Sequence, residues 1–416
     1  MSALLPRLPG PDHTLAFLRQ GYRFIGNACD RLGSDRFRAR LMLRPVICAR
    51  GEDAARLIYD PDLFTRNGAM PPSVLRLLQD KGSVQLLDDA SHRHRKALFA
   101  GLLMTDEAER SFLEVFDAEW RLALRDWTAK GRITLFDEVN LVLTRAIFRW
   151  AGVPLDNPRQ MAGDLSSAVE NTGRIGPRMW LALARRHRVE KRIRRVIDQA
   201  RASGANDATP LHRVAGFRDA DGSLLSPDKA TVELINILRP TVAVGRYVTF
   251  AALALHQHPA WRDALRSARE DSFQRFAEEV RRFYPFFPAI GGIARRDFRQ
   301  GGLEMSKGDW LMVDLFGTCH DPRLFPSPRD FDAGRDLSWR SFGFDFVPQG
   351  AGDPHRGHRC PGERLTVAVI RHATRLLVEA MDYAVPRQDA TVSLSRIPAL
   401  PRSGMALSGI RERAGR

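Results

Sequence analysis

The spacing of apolar residues along the chain is mainly helical. Apolar side chains recur at three- and four-residue intervals, with mixed charges between them, in three long segments: 106–128, 134–151 and 158–202. Strand-like segments are short and lie at 44–49, 293–297, 310–314 and near the C-terminus. Turn signals predict a loop or small hairpin at 203–227. The pattern therefore predicts a mainly α fold with a minor β-sheet region, and since no linker divides the chain, residues 1–416 are expected to form a single domain.

The most apolar segment covers residues 231–258 and has the length of a transmembrane helix. It contains Arg239, Pro240 and Arg246, and each central arginine would cost about 2.5–3.5 kcal/mol in a bilayer. A buried core helix is therefore predicted. Pro240 has no N–H to donate and clashes with the carbonyl of Asn236, so the helix should kink and open a space there.

The chain has 416 residues and a formal net charge of +15. The basic residues are spread along the chain, and the densest run, at 185–195, is spaced helically and is accompanied by no nucleic-acid motif. A solvated helix face is therefore preferred over nucleic-acid binding. The charge favours attraction to acidic partners or anionic lipid surfaces, which allows peripheral membrane association without a transmembrane segment.

The N-terminus lacks a continuous apolar stretch and a cleavage site, so no secretory signal is expected. The four cysteines lie far apart and form no C-x-x-C pair: Cys29, Cys48, Cys319 and Cys360. This spacing argues against a disulfide framework or a zinc site. It favours free thiols in the reducing cytoplasm.

Cys360 differs from the other cysteines in its surroundings. A glycine-rich loop at 346–359 leads to it, and Pro361 and Gly362 connect it to a predicted helix at 364–381. A thiolate at the start of a helix receives backbone N–H groups and the positive helix end, which stabilise the sulfur anion and tune its donation to a metal. Glycines also let the backbone approach a flat macrocycle closely. For the other three cysteines a buried, inert thiol is the preferred interpretation.

An E-x-x-R motif precedes this loop. Glu279 and Arg282 are i,i+3 neighbours on a predicted helix, a spacing for which a surface ion pair is the default. The segment 331–335, which ends in Arg335, lies between this motif and Cys360. Together the three features resemble the cytochrome P450 superfamily. The resemblance implies the cytochrome P450 fold, a heme b whose axial ligand is the Cys360 thiolate, and a buried charge triad of Glu279, Arg282 and Arg335. A thiolate ligand pushes electron density onto iron and favours O–O cleavage.

The distal helix departs from the usual P450 pattern. Oxygen-activating members carry an acid–alcohol pair there, whereas this chain has Arg239-Pro240. The Arg-Pro pair, the lengthened cysteine loop at 353–356 and the segment 84–96 resemble the P450 peroxygenases that act on fatty acids. The resemblance implies that Arg239 binds the substrate carboxylate. Spacing alone leaves open a structural ion pair with a buried carboxylate, for example Glu233, or an outward-facing arginine.

The same resemblance assigns further roles. Pro240 and Gln85 join Arg239 as catalytic residues, and glutamine at position 85 favours hydroxylation over decarboxylation to terminal alkenes. Phe286 and Val242 are expected to contact the substrate. Four side chains are expected to hold the heme, chiefly through its propionates: Arg66, His92, Lys96 and His358. An ordinary polar residue at Gln85 and a core aromatic at Phe286 remain open.

These resemblances imply a peroxygenase that uses hydrogen peroxide to hydroxylate long-chain fatty acids at the α or β carbon. The substrate carboxylate supplies the acid–base group, anchoring fixes which carbon reacts, and no redox partner is obligatory. The alternative is a conventional P450 monooxygenase that uses dioxygen and redox partners. A heme-thiolate enzyme that rearranges hydroperoxides, and a heme sensor or basic binding protein, are further alternatives.

Overall fold

The computed structural model describes residues 5–79, 82–173, 176–204, 208–267, 270–335, 337 and 343–413. The helices are α1 Thr14–Gln20, α2 Phe24–Leu32, α3 Glu52–Ile58, α4 Pro72–Val74, α5 Asp89–Leu103, α6 Asp106–Lys130, α7 Leu135–Trp150, α8 Pro158–Glu170, α9 Pro177–Ala202, α10 Pro210–Ala215, α11 Pro227–Ala243, α12 Gly245–Gln257, α13 Pro259–Arg266, α14 Glu270–Phe283, α15 Leu315–Thr318 and α16 Glu363–Arg375. The strands are β1 Arg36–Leu41, β2 Arg44–Arg50, β3 Phe64–Thr65, β4 Arg132–Thr134, β5 Ala289–Ala294, β6 Phe298–Gln300, β7 Leu303–Met305, β8 Trp310–Asp314, β9 Met381–Ala384 and β10 Ala406–Glu412.

Long helices pack around the main apolar core. α6, α7, α11, α12, α14 and α16 contact one another and bury their apolar stripes in it. α6 shows how local sequence sets the ends of such a helix. The Thr105 hydroxyl accepts the N–H of Ala108 at 3.1 Å, and Gly131, with φ +68°, ends the helix in the left-handed conformation. The mainly α prediction is confirmed.

The strands form small sheets beside the helices. A five-stranded sheet has the order β1-β2-β8-β5-β3. In it β2 runs parallel to β8, with Ile47 opposite Leu311, and β5 runs antiparallel to β8, with Ile290 opposite Val313. Every residue of β8 is buried, as its central position requires. A three-stranded sheet, β4-β10-β9, and the β6–β7 hairpin lie apart from it.

The apolar segment 231–258 is a core element, as predicted, but it forms two helices. α11 ends at Ala243 and α12 begins at Gly245. The interruption follows Pro240, which lies inside the last turn of α11 and cannot donate an N–H to the helix. A Cβ at Gly245 would lie 2.2 Å from Oδ1 of Asn140 on α7, so a larger residue there would displace the Asn140 side chain. The expected kink is therefore a break between consecutive helices.

Arg246, the second arginine of this segment, is buried in the protein core. It forms an ion pair with Glu170 and donates to the carbonyl of Ala399. The pairing explains how a core helix accommodates the charge. Within the described ranges, no helix combines the length and apolarity that crossing a bilayer requires.

Three segments show detail beyond the pattern-based prediction. The helical pattern at 158–202 corresponds to two helices, α8 and α9; Gly176 has φ +100°, and Pro177 starts α9 at its first position. The stretch 203–227 contains the expected small hairpin, in which Arg218 pairs antiparallel with Leu224, and also α10; residues 205–207 lie outside the described ranges. The strand expected at 293–297 runs from Ala289 to Ala294, in register with β8. A single domain over the whole chain stays a prediction.

An ion-pair cluster joins α14 to the loop that follows α15. Two nitrogens of Arg282, Nε and Nη2, donate to the two carboxylate oxygens of Glu279, each at 2.7 Å. Nε of Arg335 lies 3.5 Å from Oε1 of the same carboxylate. Glu279 is 0% exposed and Arg282 is 1% exposed. The structure thus brings the three residues of the expected triad together, where they hold a loop against a helix.

Replacing Glu279 by Gln should lower the free energy of unfolding by about 3–5 kcal/mol, because the change leaves the Arg282 guanidinium buried without its anion. Urea unfolding of the purified protein, followed by circular dichroism, measures this change. Glu304→Gln is the matched control, since Glu304 pairs with Arg299 at 2.7 Å on the surface. There the expected loss is below about 1 kcal/mol. Equal losses in the two variants would contradict a structural role for the triad.

Candidate active site

Cys360 lies in the loop before α16, and backbone contacts fix that loop. The Cys360 N–H donates to the carbonyl of Gln349 at 3.1 Å. Gly350 has φ +103°, and a Cβ there would lie 2.7 Å from the hydroxyl of Tyr59, so the chain can pass Tyr59 only as glycine. Burial raises the pKa of the Cys360 thiol, while the backbone N–H of Gly362 acts to lower it.

A cavity connects this loop with the distal helix. The loop contributes residues 348–350 and 358–362, and the first turns of α16 contribute Leu365, Thr366 and Val369. The opposite wall is formed by the end of α11 and the turn after it, from Asn236 to Val244. The walls are mostly apolar. The thiol of Cys360 and the Arg239-Pro240 pair therefore face the same enclosed space.

The other three cysteines do not line this cavity. All three are buried free thiols. Burial raises the pKa of Cys29 and of Cys319 to about 12, and raises the pKa of Cys48 further. The burial and the raised pKa values of these three cysteines agree with the expectation of inert thiols. Cys360 is therefore the candidate iron ligand.

Basic side chains meet at one side of the cavity. His92 and Lys96 lie one turn apart on α5, and both are buried. The ring of His358 lies 4.1 Å from the ring of His92, measured between centroids. Lys96 donates through Nζ to the carbonyl of Arg359. Burial lowers the pKa of His92 to about 4, of His358 to about 2 and of Lys96 to about 8.

Arg66 completes this cluster. Its guanidinium carbon lies 4.7 Å from the centre of the Tyr59 ring, and Nη1 donates to the carbonyl of Gly291 at 2.8 Å. Nη2 is buried and has no acceptor among the described residues. Nearby charge from Arg66 also contributes to the low pKa of His358, after burial.

The residues present fit a heme. No ion pair with a carboxylate is found for Arg66, His92, Lys96 or His358 in the described part of the chain, so the basic cluster suits an added anion such as a propionate. The cavity supplies apolar walls for a macrocycle, and Cys360 supplies a thiol for iron. Within the described ranges, no group of three His, Cys, Asp or Glu side chains could hold a separate metal ion.

Arg239 is buried on the cavity side of α11 and is 4% exposed. Nη1 donates to the carbonyl of Leu77 at 3.2 Å, and Nη2 donates to the carbonyl of Leu78 and to Oδ1 of Asn236 at 3.1 Å. The side chain is therefore not the outward-facing arginine that spacing left open. Its guanidinium is oriented by backbone carbonyls next to the cavity.

Glu233 forms its ion pair with Arg95 rather than serving as the expected alternative partner of Arg239. Oε1 of Glu233 lies 3.3 Å from Nη1 of Arg95 and accepts the N–H of Val84 at 2.8 Å. Burial raises the pKa of Glu233 to about 7. Nδ2 of Asn236 donates to the other oxygen at 3.0 Å, so Glu233 supports the helix face that carries Arg239.

The remaining predicted residues divide into two groups. Gln85, Pro240 and Phe286 line the cavity. Oε1 of Gln85 accepts a hydrogen bond from Nδ2 of Asn236 at 3.3 Å. The Phe286 ring stacks on the Tyr247 ring, with centroids 4.7 Å apart. Val242, expected at the substrate, lies in the core instead. Val242 follows Pro240 by two residues, and this spacing rotates its side chain about 200° around the helix axis from that of Pro240.

Sequence reasoning missed two residues at the site. Asn236 connects Gln85, Glu233 and Arg239, and its only signal was its place one turn before Arg239 on an apolar helix. Gln349 contacts Cys360 from the cysteine loop. No pattern singled it out, because its contacts come from residues distant in sequence.

The fold and the site together are those of a cytochrome P450. No family model matches the chain. A putative cytochrome P450 138 of Mycobacterium tuberculosis is 25% identical over 393 residues, 86% of this chain and 85% of the relative. The solved structure of cytochrome P450SP alpha (CYP152B1) with (R)-ibuprophen is 42% identical, with a TM-score of 0.93 over 97% of this chain and 99% of that one.

Two further solved structures cover the chain as fully. Wild-type cytochrome P450EX alpha (CYP152N1) with myristic acid is 35% identical, with a TM-score of 0.93 over 99% of this chain and 100% of that one. A variant of cytochrome P450 OleT with arachidonic acid is 30% identical, with a TM-score of 0.95 over 100% of both chains. The chain belongs to the CYP152 family of cytochromes P450, the fatty acid peroxygenases. It is an oxidoreductase whose cofactor is heme b with a cysteine thiolate ligand.

Replacing Lys96 by Met should speed heme loss by about 10–100-fold, because one charge-assisted hydrogen bond contributes about 1.5–3 kcal/mol. Heme transfer to excess apomyoglobin measures the rate. Lys130→Met is the control, since Lys130 pairs with Glu138 at the far end of α6. If both variants lose heme at the wild-type rate, Lys96 does not hold a propionate.

Proposed function

We propose that the chain hydroxylates long-chain fatty acids at the α or β carbon with hydrogen peroxide, and that Cys360, Arg239 and Gln85 carry this activity. The observation that supports the assignment of residues is the buried Arg239, followed by Pro240, on the wall of the cavity that also contains Cys360. Heme, when bound through Cys360, supplies the activation of peroxide. The protein supplies anchoring, orientation and a dry cavity.

Arg239 suits the fatty acid carboxylate in charge and geometry. A guanidinium donates charge-assisted hydrogen bonds to a carboxylate, and their geometry fixes its direction as well as its position. The carbonyls of Leu77 and Leu78 and the amide of Asn236 orient the guanidinium in advance. The substrate head group is therefore expected to bind at one defined place in the cavity.

The anchored carboxylate also replaces the adjacent acid–alcohol pair that α11 lacks. The segment around Arg239 contains no adjacent acid–alcohol pair. A carboxylate held there can move a proton between the two peroxide oxygens through its own oxygen atoms. Because the first carbon is fixed at Arg239, the hydrogens brought to the reacting centre are those of the next two carbons.

Apolar side chains are available for the rest of the substrate. The cavity wall includes Leu78, Val169, Phe286 and Ile290, which suit an acyl chain rather than a polar substrate. Gln85 lies on the same wall and is held by Asn236. A neutral amide is a weaker proton donor than a histidine, which favours hydroxylation and leaves decarboxylation to alkenes as a minor path.

An obligatory redox partner is not part of the proposal. A conventional monooxygenase would present a basic face to an acidic ferredoxin. The basic residues on the outer face of α16 are instead paired with carboxylates of neighbouring helices: Arg364 with Glu109, Arg371 with Glu109 and Glu270, His372 with Asp117, and Arg375 with Glu270. Docking there would have to break these pairs.

The proposed location is the cytoplasm, with association at the membrane surface. The chain has an exposed apolar patch formed by Leu15, Met42 and Leu43, and Leu15 and Leu43 are 69% and 71% exposed. The N–H of Met42 donates to Oγ1 of Thr14, which joins the turn to α1. Met42 and Leu43 form the two-residue turn between β1 and β2, with φ of +52° and +62° as such a hairpin turn requires.

Charge and position favour an anionic bilayer as the partner of this patch. Exposed arginines surround it in sequence: Arg7, Arg19, Arg38, Arg40 and Arg44. Nη1 of Arg44 donates to the carbonyl of Gly68 at 3.4 Å, and Met70, two residues on, lines the cavity. A fatty acid leaving the bilayer at the patch would therefore lie close to the cavity.

Purified ferric protein, hydrogen peroxide and myristate should give 2- or 3-hydroxymyristate by mass spectrometry, without reductase. Arg239→Leu should lower kcat/KM about 100-fold, because the carboxylate loses a charged hydrogen-bonded partner. Arg121→Leu, on the surface of α6, is the control.

Other products would identify the alternatives. Turnover only with NAD(P)H and a reductase would indicate a monooxygenase. Rearrangement of a fatty hydroperoxide without added oxidant would indicate an isomerase, and no turnover under any condition would indicate a sensor. An Arg239→Leu variant with full activity would contradict carboxylate anchoring.

Leu43→Asp should weaken binding to vesicles of phosphatidylglycerol and phosphatidylcholine by about tenfold, since one leucine loses its apolar burial. Vesicle co-sedimentation at low salt measures the binding. Leu122→Asp changes another exposed leucine, on α6, and should bind as wild type does. Equal binding by all three proteins would contradict docking through the patch.

A further inference from the structure

Gln349 lies between a buried arginine and the sulfur of Cys360. Its Oε1 accepts from Nε of Arg281 at 3.1 Å. Its Nε2 lies 3.1 Å from Oγ1 of Thr366 and 3.8 Å from Sγ of Cys360. Gln349 also lines the cavity beside Cys360. One amide side chain thus contacts the proposed iron ligand and a permanent cation.

The orientation of this amide is determined by its neighbours. Arg281 can only donate, so the amide oxygen must face the guanidinium. Oγ1 of Thr366 donates its proton to the carbonyl of Gly362 at 2.9 Å and therefore accepts from Gln349. The second proton of the Gln349 amide then points to the sulfur of Cys360. A flipped amide would set oxygen against sulfur and nitrogen against Arg281.

Arg281 is itself held in place by two carboxylates. It donates through Nη1 to Glu278 at 2.5 Å and through Nη2 to Glu363. Glu363, the first residue of α16, also accepts from Nε of Arg359 at 2.5 Å. Arg281 and Glu278 are almost fully buried. Such a network persists only in one arrangement, because breaking any pair would leave a buried charge without a partner.

We propose that Gln349 is a positioning residue that donates an N–H to the Cys360 thiolate and thereby limits its electron donation to iron. A hydrogen-bond donor at a thiolate ligand withdraws electron density from sulfur and raises the reduction potential of the bound metal. Arg281 polarises the amide from the opposite end and strengthens its N–H as a donor. The inference rests on Cys360 as the heme ligand.

The test uses the heme-loaded protein and two readouts other than activity. In Gln349→Leu, which has a similar volume and no donor, the Fe(III)/Fe(II) potential should shift to a more negative value. The C–O stretching frequency of the ferrous carbon monoxide complex should fall, because stronger thiolate donation increases back-donation into carbon monoxide. Gln349→Glu keeps the contact with Arg281, places an oxygen against sulfur, and should shift both readouts in the same direction.

Two controls separate this effect from packing. Gln388→Leu removes a glutamine that bonds the backbone of Ala406 and should leave both readouts unchanged. Thr366→Val removes the other acceptor of the Gln349 amide, keeps the donor facing sulfur, and should shift the readouts less than Gln349→Leu does. A Thr366→Val shift as large as that of Gln349→Leu, or wild-type readouts in Gln349→Leu, would overturn the proposal. A wild-type carbon monoxide spectrum without thiolate character would instead refute the ligand assignment.

Discussion

Buried guanidinium groups need acceptors, and satisfying them organises this protein. Almost fully buried arginines in the helical core include Arg95, Arg239, Arg246, Arg281 and Arg282. Each reaches partners on other segments of the chain, so that each fixes how a helix sits against a loop or a second helix. Because an unpaired buried charge is strongly destabilising, these contacts restrict the packing more than apolar contacts of similar area would.

The same constraint shapes both sides of the active site. On the side of Cys360, Arg281 and its carboxylates fix Gln349 and the start of α16, and so fix the surroundings of the sulfur. On the distal side, Glu233 and Asn236 support the helix face from which Arg239 reaches the cavity. The two cations differ in position: Arg281 lies in the ion-pair network at the start of α16, and Arg239 lies on the cavity wall.

Local sequence predicted the elements that depend on local forces. The helix at 106–128 and the strand at 310–314 were predicted from the spacing of apolar residues. α6 matches the predicted helix closely because it buries one apolar stripe. β8 matches the predicted strand because it is buried on both faces. The helical pattern at 158–202 did not show where it divides into α8 and α9, because that division accompanies the positive φ of Gly176. Val242 was assigned to the substrate, but only the direction of the helix face decides which side chains reach the cavity.

The sequence by itself determined the chemistry available to this protein: a cysteine after a glycine-rich loop, an E-x-x-R pair, and an arginine before a proline in an apolar helix. These signals are local, because each depends on residue types at short spacing. The tertiary structure alone decided which groups meet. Asn236 bridges Gln85 to Arg239, Glu233 pairs with Arg95, and Gln349 spans Arg281 and Cys360. Such contacts join residues up to 151 positions apart, and their formation depends on packing that no short segment specifies.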